Sequence, residues 1–109
     1  MAWQFEREFF RLSYPPQAAP RFVVDGAQHR IVDIGEGGFR YANLAVAEPG
    51  QPVKGTIEFP EGEEPLEVEG VVVRQVNGEI AVRCPPKSIP LGVVMREQRR
   101  LRRRFPFRA

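Results

Sequence analysis

A chain of 109 residues has the length of one domain with a small core. No run of about 18 apolar residues occurs, which excludes a membrane-spanning helix, and one cysteine, Cys84, excludes an internal disulfide or a cysteine-based metal site. The net charge is only +2, yet residues 1–95 hold nine Lys/Arg against thirteen Asp/Glu, and residues 96–109 hold seven arginines against one glutamate.

Residues 5–14, Phe-Glu-Arg-Glu-Phe-Phe-Arg-Leu-Ser-Tyr, alternate poorly and lack a helix cap. They are expected to form an extended arm, stopped by Pro15-Pro16. The first residues, Met-Ala-Trp-Gln-Phe-Glu-Arg, have no apolar run of signal-peptide type, so the expected location is cytoplasmic.

Six short segments of strand character follow. They are Arg21–Asp25, His29–Ile34, Phe39–Ala45, Val53–Phe59, Leu66–Val76 and Glu79–Cys84. Asp25-Gly26 and Asn77-Gly78 are two-residue hairpin signals, and Pro49-Gly50 is a turn. Val71-Val72-Val73 reads as strand buried on both faces. His29 is expected as a strand or turn residue and Cys84 as a structural thiol. Six strands at this spacing predict an all-β fold, a small antiparallel barrel over residues 20–85.

The end of the chain changes period. Ser88 can cap a helix, Pro90 suits its first turn, and Leu91, Val94, Gln98, Leu101 and Phe105 recur at spacings of three and four. A helix over 89–105 is expected, its stripe packed on the barrel or on a second subunit, so a homodimer is one reading. Arginine fills five of the six positions from Arg99 to Arg104. The run reads as a nucleic-acid patch, a protein or dimer surface, or a solvated helix face pairing with the acidic body. Nucleic acid is disfavoured because aromatics do not interleave with the arginines and the body is acidic.

Two motifs carry chemistry. Arg7 and Arg11 stand four apart in the aromatic arm. Arginine is always charged, makes bidentate bonds to phosphate and stacks on flat rings. Asp33-Ile34-Gly35-Glu36-Gly37-Gly38 sets a carboxylate beside a glycine turn. Its two acceptor oxygens match guanine's N1–H and exocyclic amine, and the glycines permit positive φ and close approach. Each motif is weak alone. No Gly-Lys-Ser/Thr follows the turn, so it is not a P-loop. No carboxylate pair, serine-histidine or cysteine-histidine set is recognisable, so an enzyme is not expected. No metal or cofactor site is expected either.

Together the motifs resemble the PilZ family of cyclic di-GMP (c-di-GMP) receptors. Arg7 and Arg11 match its Arg-x-x-x-Arg motif. Asp33, Gly37 and Gly38 match its Asp/Asn-x-Ser-x-x-Gly motif, and Gly35 stands at the serine. The missing hydroxyl is worth about 0.5–1.5 kcal/mol, about threefold to tenfold in affinity. The resemblance covers nearly the whole chain. It implies a single domain with a ligand-clamping arm (1–16), a six-stranded barrel and a closing C-terminal helix. It also implies cyclic di-GMP as ligand, held by Arg7, Arg11, Asp33, Gly35, Gly37 and Gly38, with Arg74 a candidate for the same pocket. The implied output is through a partner protein, in motility, pilus, polysaccharide or biofilm control. The alternative is a ligand-blind adaptor working only by protein contacts.

Overall fold

The computed structural model of the chain describes residues 11–106. Arg7 and the rest of the arm ahead of Arg11 lie outside them. Among the described residues there are seven strands: β1 (Arg11–Ser13), β2 (Arg21–Val24), β3 (Ala27–Gly35), β4 (Gly38–Ala42), β5 (Pro52–Glu58), β6 (Leu66–Val76) and β7 (Glu79–Arg83). One α-helix, α1 (Leu91–Arg104), follows. All strand pairs are antiparallel. The order β3–β2–β5–β6–β7–β4 closes on itself through β3–β4, which makes a six-stranded barrel with one extra strand.

The closure follows from the turns. Asp25-Gly26 and Asn77-Gly78 each take positive φ at both positions (51° and 76°, 53° and 75°). That is the turn whose twist matches paired strands. β3 is long enough to be shared. Its first half pairs with β2, and its second half pairs on the same edge with β1, so the end of the arm is a strand extending the sheet beyond β2.

Inside the barrel, Phe22, Ile31, Ile34, Phe39, Ile57, Val72 and Ile80 are fully buried. Phe22 meets Phe39 edge-on with ring centroids 4.7 Å apart, a favoured aromatic geometry. Val94 and Leu101 bring α1 into the same core. The apolar stripe therefore packs on the barrel.

Three local expectations are corrected. Helix α1 starts at Leu91, with Pro90 extended at the cap position (φ −60°, ψ 144°) and no side-chain cap bond, so Ser88 does not cap it. Leu91 is 47% exposed, and the inward positions of the middle helix hold Glu97 and Arg100 instead. In β6 the Val-Val-Val run is not buried on both faces. Val72 pairs with Val82 and Arg74 with Ala81, which leaves Val73 as the extra residue of a bulge, exposed to solvent.

Candidate ligand-binding site

Two bulges build the site. In β3, Ile31 pairs with Tyr41 and Asp33 with Arg40, so Val32 is the extra residue. Strand residues two apart share a face, and without the bulge Asp33 would follow Ile31 into the core. The bulge turns Asp33 outward while Ile34 stays inside, a common use of bulges near functional sites. The Val73 bulge does the same for Arg74. Across the sheet the pairings then run Ser13–Asp33–Arg40–Ala81–Arg74, one row on the outer face.

Asp33 sits at the centre of this row, with a side chain only 2% exposed. Its Oδ1 accepts from Arg11 Nη2 at 2.7 Å. Its Oδ2 accepts from Arg40 Nε at 2.7 Å and from Arg40 Nη2. Arg40 also reaches Glu79 Oε1 at 3.4 Å. The hydrogen bond to Asp33 outweighs partial burial and tightens Arg40's hold on its proton. The carboxylate is therefore charge-compensated from both sides.

Arg11 and Asp33, named from sequence, are thus brought into contact, and Arg11 pairs in register with Gly35. Arg74 lies in the same row, beside a small cleft of about 100 Å³ that it shares with Arg40, Glu79 and Ala81. It does not touch Asp33. Arg7 lies outside the described residues.

The glycines divide by role. Gly35 and Gly38 pair across the two-residue turn Glu36-Gly37. Gly38 has φ +152°, and a Cβ there would overlap the Val82 carbonyl oxygen. Its glycine is explained by the close seam of β4 on β7. A Cβ on Gly37 meets nothing within 4 Å, and its carbonyl accepts the Cys84 N–H at 2.9 Å. Gly37 leaves the surface above the turn open.

Arg40 belongs to neither sequence motif, yet the sequence holds a signal for it. A two-residue turn at Glu36-Gly37 places Asp33 opposite Arg40 by simple register, and opposite charges across strands attract. A separate groove of about 810 Å³, lined by Pro52, Val53, Val71, Arg83, Cys84 and Pro85 among others, opens over β5–β7. It shares no lining residue with the row, and its Arg83 pairs with Gly38, two residues along β4 from Arg40.

A family model described as "PilZ domain" matches residues 5–103. Among solved structures, an uncharacterized protein from Legionella superposes with a TM-score of 0.61 at 18% identity, over 86% of this chain and 98% of that one. At that identity the likeness speaks for the fold alone. No curated protein matches the chain.

Proposed function

This chain belongs to the PilZ domain family, a family of cyclic di-GMP receptors and adaptors that bind rather than catalyse, and on that footing we propose that it binds cyclic di-GMP on the outer face of the barrel around Asp33. The observation that carries the reading is the Arg11–Asp33 contact, 2.7 Å long, beside the open turn Glu36-Gly37. A buried carboxylate is held at the surface, aimed by a bulge, with a half-exposed arginine over it. Arg7, four residues earlier, supplies a second guanidinium. The ligand's two phosphates call for cations, and its guanine edges call for a carboxylate acceptor. Gly35 supplies no hydroxyl, so the two arginines carry more of the affinity.

Binding gathers Arg7 and Arg11 on the ligand and so presents a new surface. A partner protein reads that surface in the cytoplasm, with motility, pilus, polysaccharide or biofilm control as the output. No helix among the described residues is long and apolar enough to cross a membrane.

Calorimetric titration with cyclic di-GMP tests the reading, alongside Arg7→Ala and Arg11→Ala. Micromolar or tighter binding, abolished by either substitution, is expected. Absence of heat together with an unchanged melting temperature would reject it. The ligand-blind adaptor would then lead, favoured by one observation: both oxygens of Asp33 are already engaged by Arg11 and Arg40.

A further inference from the structure

We infer that Arg40 is a positioning residue, which keeps Asp33 paired while Arg11 leaves it for the ligand. The inference rests on the cyclic di-GMP reading and adds to it an exchange step.

The two arginines on Asp33 are not equivalent. Arg11 makes one bond to Asp33, through Nη2, and its side chain is 47% exposed. It stands at the start of the three-residue strand β1. Arg40 makes two bonds, through Nε and Nη2, and a third contact to Glu79. It sits in the middle of β4, with β3 paired on one side and β7 on the other. One partner is releasable and the other is fixed.

This asymmetry solves a problem that ligand binding sets. Arg11 cannot serve a phosphate or a guanine face and keep its bond to Oδ1. Stripping a buried carboxylate of its cation is strongly unfavourable when nothing replaces it. Arg40 replaces it in advance. With Oδ2 held from the β4 side, Oδ1 becomes free in the place Arg11 vacates, and guanine N–H donors can fill that place. Arg40, shared with Glu79, offsets part of the charge of Asp33 towards a dianionic ligand, so the released Arg11 meets the phosphates less opposed. Arg40 thus acts through Asp33 and never needs to touch the ligand.

The test compares wild type, Arg40→Ala and Arg40→Lys by calorimetry with cyclic di-GMP and with its hypoxanthine analogue, which lacks the exocyclic amine. Arg40→Ala is expected to lose at least about tenfold in cyclic di-GMP affinity. It should also narrow the preference for guanine over hypoxanthine, because Oδ1 is no longer aimed. Arg40→Lys should recover part of the affinity by restoring charge without the two-bond grip. Arg40→Ala within about twofold of wild type, or a loss of affinity with unchanged base preference, overturns the inference and leaves the receptor reading standing. Wild type that binds no cyclic di-GMP overturns both.

A second measurement needs no variant. The Nε–H resonance of Arg40, hydrogen-bonded to Asp33 Oδ2, should persist in nitrogen-edited NMR spectra when cyclic di-GMP saturates the protein, while the Arg11 guanidinium signals move. Loss of the Arg40 bond on saturation overturns the exchange.

Discussion

The Tyr14 hydroxyl donates to Glu97 Oε1 at 2.9 Å, joining the end of the arm to the middle of α1 across 83 residues of sequence, with both groups buried. Arg100 completes the cluster. It donates to both oxygens of Glu97, at 2.8 and 3.1 Å, and to the Ala18 carbonyl at 3.1 Å. Three residues after Arg11, the chain is therefore anchored to the helix. Movement of Arg11 towards a ligand pulls against a fixed point.

Breaking this cluster on one side should be costly. Glu97→Ala leaves Arg100 buried without its carboxylate, at about 3–5 kcal/mol. Tyr14→Phe removes one bond to a charged acceptor, at about 1–3 kcal/mol. Replacing Glu97 and Arg100 by Leu and Met together with Tyr14→Phe should recover much of the loss, since the apolar cluster then leaves only the Ala18 carbonyl without its donor. Urea midpoints at unchanged slope check all three. A Glu97→Ala protein as stable as wild type contradicts the burial argument.

Alkaline pH should destabilise the protein, chiefly through Cys84 and Tyr14, with the buried Tyr41 phenol, raised by burial, acting in the same direction. Burial pushes the Cys84 thiol up to about 11 from an ordinary 9.0. Burial, and then the charge and hydrogen bond of Glu97, push the Tyr14 phenol far above its ordinary value of 10.0. Both folded-state values are raised, so the native chain keeps protons that the unfolded chain gives up. Stability is intact below about pH 9 and falls as pH rises, first through Cys84 and then above pH 10 through Tyr14 as well. Melting temperatures across this range should decline, and Cys84→Ala and Tyr14→Phe should each flatten part of the slope. A flat profile in the wild type would refute the assignment.

Gly37 and Gly38 should respond differently to the same change. Gly38→Ala forces a side chain into the left-handed region and against the Val82 carbonyl oxygen, a backbone atom that cannot swing away. A loss of more than about 2 kcal/mol is expected. Gly37→Ala should stay within about 0.5 kcal/mol, since its Cβ points into open space. Gly37→Ala is therefore the clean probe: if it weakens cyclic di-GMP binding at unchanged melting temperature, the ligand lies over the turn.

The arginines of α1 sort by face. Arg104 meets Glu61 at 3.2 Å, Arg96 meets Glu63 at 3.4 Å, and Arg100 approaches Glu61 at 3.9 Å. These pairs tie the helix to the acidic loop before β6, as the charge asymmetry suggested. Arg104, Glu61 and Glu63 are well exposed, so the Arg104–Glu61 and Arg96–Glu63 pairs are each worth at most about 1 kcal/mol. Glu61→Gln with Glu63→Gln should lower stability slightly at low salt and hardly at all at high salt. A large, salt-insensitive loss would show that the loop does more than screen charge.

Part of the candidate site is legible in the sequence. Arg11 and Asp33 were named from their chemistry, and they meet at 2.7 Å. Gly38 was named for approach to a ligand, yet its conformation answers to Val82. Arg40 carries no motif of its own. Its role appears only when the turn at Glu36-Gly37 is read as a register.

What the sequence alone determined is the local grammar: six strand windows, the turns Asp25-Gly26 and Asn77-Gly78, and a helix ending before Pro106. These depend on the conformational preferences of residues adjacent in the chain, which no distant contact has to supply. Tertiary structure alone decided that Val32 and Val73 bulge, that Asp33 and Arg74 therefore face outward, and that Glu97 rather than Leu91 is buried. A bulge is a mismatch between two strands, and a buried glutamate needs Tyr14 and Arg100 around it. Neither property belongs to any single stretch of chain.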